Sequence, residues 1–248
     1  MSTGTPGAPP ESKPHDERRL QAAHESLQSA RAATATGPSH ELESLRHAYL
    51  DLLKLTLCDL AGTRTAGCGA MADGKVIGRD LFGDQLRVRA AGLDWPVYGL
   101  TMVGLARLDD LQSCVETVVR DGVEGDVVEA GSWRGGASIF LRATLNSLGA
   151  TDTTLYVCDS FQGFPQDTEQ TDESELYAYD FLAVPLEEVK ANFARFGVEE
   201  NVEFVPGFFE NTLSGLADKQ WSIVRLDGDS YEATMIGLEC LYPGPGPG

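Results

Sequence analysis

The spacing of hydrophobic positions changes along this chain, and the changes mark out its elements. From Ser44 to Leu57, apolar residues Leu45, Tyr49, Leu52, Leu53 and Leu57 recur at helical spacing and predict a helix. Residues 60–98 are glycine-rich and carry no period; they read as irregular, with a turn at Asp73-Gly74. Met102, Leu105, Leu108, Leu111, Val115, Val118 and Val119 then share one face of a helix over Met102–Val119. Beyond it, short apolar runs alternate with helical patterns. Strands are predicted at Asp126–Glu129, Leu155–Cys158, Val202–Val205 and Ser222–Leu226. Helices are predicted at Gly136–Leu148, Pro185–Phe196, a short stretch near Asn211–Ala217, and Tyr231–Leu241. Pro185 suits the start of its helix, and Glu187 and Glu188 complement the helix dipole in its first turn. Short apolar strands alternating with helices predict an α/β fold: an open parallel sheet covered by helices on both faces, preceded by N-terminal helices.

The first 40 residues differ in kind. They are rich in Ser, Thr, Ala, Gly, Pro and charge, and a helical run over Glu17–Ala33 has a thin apolar face, Leu20 and Leu27. This composition cannot bury a core and reads as a disordered arm. The chain therefore divides into an arm over 1–40, a helical cap region over 41–121, a sheet-bearing core over 122–243 and a Pro-Gly tail over 244–248. The ending Pro243-Gly-Pro-Gly-Pro-Gly248 cannot be helix or central strand, and reads as a linker, a frameshift product or an artefact.

Composition narrows the chemistry. A length of 248 residues with 42% apolar content suffices for one ordinary domain. A formal charge of -19 argues against nucleic acid or an anionic membrane as partner, because both repel a negative surface. The five cysteines, Cys58, Cys68, Cys114, Cys158 and Cys240, are odd in number and form no CxxC pair, which argues against a zinc cluster or a disulfide framework. With no long apolar span and no signal-peptide core, the expected setting is cytoplasmic. All four histidines, His15, His24, His40 and His47, precede the core, so histidine-based nucleophilic catalysis and histidine-ligated zinc lose ground.

Three segments carry candidate chemistry. In Val127-Val-Glu-Ala-Gly-Ser-Trp-Arg-Gly-Gly-Ala137 a strand ends at Glu129 and a helix starts near Gly136. The glycines allow a tight turn, and the helix N-terminus offers N–H groups to an anion such as a carboxylate. Its Glu-x-Gly-x-x-x-Gly-Gly spacing is not the GxGxxG of dinucleotide binding. Asp159 ends the next strand, facing the same crevice, where a carboxylate can accept ribose hydroxyls; the plainer reading is a loop or cap aspartate. Arg225-Leu-Asp-Gly-Asp229 follows the fourth strand. There Asp227 suits a hard divalent cation and Asp229 a proton, against the plainer reading of an acidic turn before a helix capped near Ser230. The acidic stretch Gln166–Asp180 reads either as a lid over an acceptor site or as a solvated loop.

These stretches, with Tyr49-Leu-Asp-Leu-Leu-Lys54, Asp94-Trp-Pro96, Thr101-Met-Val-Gly-Leu105, Arg107-Leu-Asp-Asp-Leu-Gln112, Asp159-Ser-Phe-Gln-Gly163 and Glu188-Val-Lys-Ala-Asn-Phe193, resemble the macrocin O-methyltransferase family over about residues 46–243. Members are magnesium-dependent enzymes that methylate sugar hydroxyls of macrolides and aminocoumarins. The resemblance implies a Rossmann-like methyltransferase fold, S-adenosylmethionine and Mg2+ as cofactors, and a glycosylated small-molecule natural product as partner, with a homo-oligomer possible. It places Thr101, Met102 and Gln162 at the cofactor, Glu129, Ala130, Gly131 and Ser132 at its methionine end, and Asp159 with Ser160 about its ribose. Gly207 and Phe208 fall near its adenine. Asp227 is placed at the cofactor and the metal, and Asp229 is the implied base. Family members continue past Leu241-Tyr-Pro243 with a fifth strand and a paired aspartate that completes the metal site, where Gly-Pro repeats stand here. The expectation is a core without its last strands and a metal site with one carboxylate. The alternatives are an inactive, truncated methyltransferase-like protein and a nucleotide-dependent oxidoreductase on a similar fold.

Overall fold

The computed structural model describes residues 38–72, 75–164 and 179–244, with 21–22 and 24–25. Most of the expected arm, the turn at Asp73-Gly74, most of the acidic stretch Gln166–Asp180 and the last four residues lie outside the described residues. The chain forms two compact units: Met1–Cys68 with Gly78–Arg107, and Gly69–Ile77 with Leu108–Gly248.

In the first unit, helix α1 spans Pro38–Leu57. Of the five apolar positions that predict it, Leu53 and Leu57 are buried, whereas Leu45, Tyr49 and Leu52 are 60%, 46% and 48% exposed. The buried face is instead completed by Leu50 and Leu55. The stretch read as irregular is ordered: β1 (Thr65–Ala72) and β2 (Lys75–Leu81) form a two-stranded sheet, followed by helix α2 (Gln85–Ala91). The correction has a plain cause. Thr65-Ala-Gly-Cys-Gly-Ala-Met-Ala72 is built of small residues, so its alternation carries almost no hydrophobic contrast. The strand is recruited by tertiary pairing: Cys68 N donates to Trp95 O and Val97 N to Ala66 O, at 2.8 and 2.9 Å. The Asp94-Trp-Pro96 stretch thus lies against β1, with the fully buried Arg89 3.3 Å from Asp94.

Helix α3 (Gly104–Asp121) buries Leu105, Leu108, Leu111 and Val115, the face its periodicity predicts. Four parallel strands follow: β3 (Asp126–Ala130), β4 (Leu155–Asp159), β5 (Val202–Pro206) and β6 (Trp221–Leu226), in the order β5-β4-β3-β6. Helices α4 (Gly136–Ser147) and α5 (Leu186–Phe196) make the first two crossovers. The short α6 (Phe209–Thr212), a 3-10 turn at Leu213–Leu216 and α7 (Tyr231–Leu241) come later. Because parallel crossovers are right-handed, growth outward to β5 and then a return across β3 to β6 puts the two sets of helices on opposite faces. The result is a doubly wound, Rossmann-like sheet whose order reverses at β3.

Strand periodicity sorts the side chains between those faces. Val128, Ala130 and Cys158 pack with Leu213, Leu216, Trp221 and Leu241 beneath α6 and α7. On the other face Phe193 of α5 meets Phe204 edge-on, with ring centres 5.2 Å apart. Each such buried aromatic or aliphatic side chain contributes ~1.5–3 kcal/mol. Glu129 follows Val128 in the strand, so it points to the α4 and α5 face. Pro185 sits one residue before α5, as its N-cap, and Gly197 closes that helix in the left-handed region. Beyond α7, Gly244 O accepts from Trp221 N at 3.0 Å.

Candidate active site

The C-terminal ends of the four parallel strands are stitched together. Gly131 N donates to Cys158 O, Gly207 N to Asp159 O and Asp227 N to Ala130 O, all at 2.8–2.9 Å. Four of the segments singled out by sequence therefore meet along one rim: Glu129–Ser132, Asp159–Gln162, Gly207-Phe208 and Asp227–Asp229. In open α/β sheets this rim, at the strand-order reversal, is where ligands bind.

The turn after β3 is tightly determined. Gly131 has φ +97°, and a Cβ there would lie 2.4 Å from Asp227 O. Trp133 holds φ +49°, a costly value for a bulky residue. It is held by Asp159, whose Oδ2 accepts from Ser132 N at 2.8 Å and Trp133 N at 3.1 Å, and by the Trp133 indole N–H, which donates to Phe181 O at 3.0 Å. Gly135 begins α4 with φ +83° and, as its N-cap residue, offers no side-chain cap, so the first turn of the helix presents N–H groups at the rim.

Asp159 thus has work that sequence did not show. Its Oδ1 accepts from Phe161 N at 2.9 Å, so both oxygens are engaged by backbone, Oδ1 by one donor among the described residues. Ser160 and Gln162 fold the next turn: Ser160 Oγ donates to Gly163 O at 2.6 Å and accepts from Gln162 N at 3.1 Å. Gly207 has φ +137°, and Phe208 is the N-cap residue of α6.

Glu129 is fully buried, and its carboxylate is spent inside the protein: Ser138 Oγ and Arg225 Nη1 both donate to it. Any ligand contact from this residue falls to its backbone. Burial would lower the pKa of Arg225, but Glu129 and Asp227 outweigh that and hold it above the ordinary value, so the guanidinium stays charged. Its other arm, Nη2, lies 2.9 Å from Asp227 Oδ2. Asp227 and Asp229 are exposed at the rim, and Ser230 caps α7 by accepting from Ala233 N at 2.9 Å, as the sequence suggests. Arg225, Ser138 and Trp133 are the rim partners that sequence reading left without a role. A charged residue inside the apolar strand Trp221–Leu226 was the available signal for Arg225.

Thr101 and Met102 lie in the other unit. Thr101 is buried, its Oγ1 accepting from Val103 N at 3.3 Å at the entrance of α3. Met102 lines a cavity of about 310 Å³ with Gly92, Leu93, Asp94 and Trp95.

Behind the rim, burial and then the carboxylates of Glu129 and Asp159 push the Cys158 thiol up to about 12, from an ordinary 9.0. The fold favours the neutral thiol, so this contribution to stability is complete below about pH 9 and is lost as pH rises towards 12. The melting temperature should fall across that window. At pH 8 a thiol reagent should label the exposed Cys114 but not Cys158 in the native protein. Equal labelling of the two would show that the strand is not closed over Cys158.

Among the described residues, no group of three or more His, Cys, Asp and Glu stands together as a metal site, and no helix is long and apolar enough to cross a membrane.

Comparison with known proteins agrees with this geometry. A profile of the macrocin O-methyltransferase family matches residues 46–248. A curated relative from Streptomyces olivaceus, 8-demethyl-8-(2,3-dimethoxy-alpha-L-rhamnosyl)-tetracenomycin-C 4'-O-methyltransferase, is 45% identical over 212 residues, 83% of this chain and 78% of that protein. Mycinamicin III 3''-O-methyltransferase from Micromonospora griseorubida is 40% identical over 211 residues, 81% of this chain and 79% of its own. The solved structure of the O-methyltransferase NovP superposes with a TM-score of 0.69 at 35% identity, covering 81% of this chain and 80% of that one. These relatives are O-methyltransferases, which counts against the oxidoreductase alternative. A methyltransferase-type sheet, a glycine turn at its strand-order reversal and this breadth of identity lead to one conclusion: the chain belongs to the macrocin O-methyltransferase family.

Proposed function

We propose that this protein transfers a methyl group from S-adenosylmethionine to a hydroxyl of a sugar on a glycosylated natural product. The observation that carries the reading is the convergence, on one sheet rim, of a helix N-terminus with a glycine at its N-cap, the Asp159 turn and two exposed aspartates. Family membership supports the reaction type, and the rhamnosyl-bearing substrate named for the Streptomyces olivaceus relative supports the acceptor class. A cytoplasmic setting goes with it.

The residues suit the methyl donor. The backbone of Ala130–Ser132 and the first turn of α4 offer N–H groups to the methionine carboxylate. Oδ1 of Asp159, engaged by one amide, keeps acceptor capacity for a ribose hydroxyl. Ser160 and Gln162 shape that turn, and Gly207 with Phe208 borders the adenine. Thr101 and Met102 are assigned to the donor by family resemblance. The donor supplies a methyl group on a sulfonium, already activated for displacement. The chain must add alignment of the hydroxyl and removal of its proton, and Asp229, exposed beside the rim, takes that proton.

Magnesium, which the resemblance implies, has one candidate ligand here. A magnesium ion takes about six oxygens in near-octahedral order, whereas Asp227 is paired with Arg225 and no group of three or more such ligands gathers among the described residues. The described residues do not make its site, and nothing in the proposed reaction is routed through it.

Calorimetry with S-adenosylhomocysteine tests the reading. It should bind the protein and raise its melting temperature, while NADH does neither. Asp159→Ala should weaken binding roughly tenfold or more, since a charge-assisted hydrogen-bond site contributes ~1.5–3 kcal/mol. Equal affinity of the two proteins would remove Asp159 from the donor site.

A further inference from the structure

Parallel pairing sets Glu129 of β3 beside Arg225 of β6, on the same face and one residue from the strand ends. The two are opposite charges at the sheet's working edge. Arg225 is 16% exposed and Glu129 not at all, so the guanidinium neutralises a carboxylate that has no access to water. Its planar fork does more than that. While Nη1 engages Glu129, Nη2 holds Asp227 Oδ2 at 2.9 Å, and Asp227 is half exposed. The backbone runs in parallel with this link. Asp227 N donates to Ala130 O, and Gly131 lies against the Asp227 carbonyl. On its far side Glu129 accepts from Ser138, in the first turn of α4.

We infer that Arg225 is a positioning residue that locks the Asp227–Asp229 rim to the β3–α4 turn, so that the proton-accepting group and the donor-binding turn keep one fixed geometry. This rests on the methyl-transfer reading for its consequence in catalysis, though not for the link itself. Lysine cannot replace it, because an ammonium is a point charge without the fork that serves two carboxylates at once. Counter-charge alone would be satisfied by any cation over Glu129; holding Asp227 requires the second arm.

The two roles separate in a double variant. Arg225→Met alone leaves Glu129 buried without its counter-ion, so it should melt far lower or fail to fold. Glu129→Gln combined with Arg225→Met removes both charges, retains a partner for Ser138, and should restore the melting temperature. In that double variant, turnover with a sugar-bearing acceptor should stay depressed on the order of 100-fold, the effect of a misplacement near 1 Å, with KM for the donor little changed. Amide exchange should accelerate at Asp227–Asp229 while Ile223 and Val224 keep their protection. Arg225→Lys, with one point of attachment, should give turnover between the two. Wild-type turnover and wild-type exchange at Asp227–Asp229 in the double variant would reduce Arg225 to a counter-ion for Glu129 and overturn the proposal. Should the unaltered chain methylate no sugar acceptor, the proposed function fails by itself, and the exchange comparison still decides the role of Arg225.

Discussion

Asp229→Asn should lower methyl transfer to a sugar-bearing acceptor by ~10²–10⁴-fold, the usual contribution of a positioned general base. Asparagine preserves size and hydrogen bonding at the rim but cannot take the hydroxyl proton. The fold should hold, because the turn around residue 229 is secured by other groups. Ser230 caps α7, and Thr234 Oγ1 donates to Gly228 O at 3.3 Å. Affinity for S-adenosylhomocysteine should therefore stay within about twofold, a difference of roughly 0.4 kcal/mol. The measurement is radiolabelled methyl transfer beside calorimetric binding, on the same preparation. Turnover within about threefold of wild type would move the proton acceptor elsewhere, and the same loss in binding as in turnover would make Asp229 a structural residue.

The second large effect is expected from a single methyl group. In Gly131→Ala the added Cβ would meet Asp227 O at 2.4 Å and Asp227 C at 2.7 Å, both backbone atoms, with φ at +97°. Neither partner can rotate away. Relief requires β6 to separate from the turn, which breaks the Asp227 N–H to Ala130 O bond and draws on the Arg225 link as well. Left-handed backbone alone costs a non-glycine residue ~1–2 kcal/mol, and the lost bond adds about 1 kcal/mol. A total of about 3 kcal/mol corresponds, for a chain of this size, to a melting temperature lower by roughly 6–12 °C. Gly149→Ala is the matched control. It shares a positive φ, +78°, but has open space around its Cβ, so it should lose about half as much or less. Equal losses in the two variants would show that backbone strain acts alone and that the approach of Asp227 to the turn contributes nothing. With binding measured in parallel, Gly131→Ala should also lose S-adenosylhomocysteine affinity, because the turn that offers its amides is the part displaced.

Read in sequence, the core was open to inference wherever hydrophobic contrast was strong. The four parallel strands, the crossover helices and α3 appear within one or two residues of their expected ends, because apolar runs and 3.6-residue periods report burial directly. The glycine turn and the aspartates at strand ends were legible for the same reason: once the strands are placed, their C-terminal ends are placed too. Three things were decided only by tertiary structure. The β1–β2 pair carries too little side-chain contrast to announce itself, and backbone pairing with Asp94-Trp-Pro96 orders it. The exposed face of α1 could not be separated from its buried one, since leucines occupy both and only packing chooses between them. Partnership at the rim was the third. Glu129 and Arg225 lie 96 residues apart in the chain and are joined by strand register, and Asp159 is turned to the amides of Ser132 and Trp133 by the path of the backbone. Local sequence determines where a strand ends and what residue ends it. Which groups then share a hydrogen bond depends on strand order and register, and those are properties of the assembled sheet.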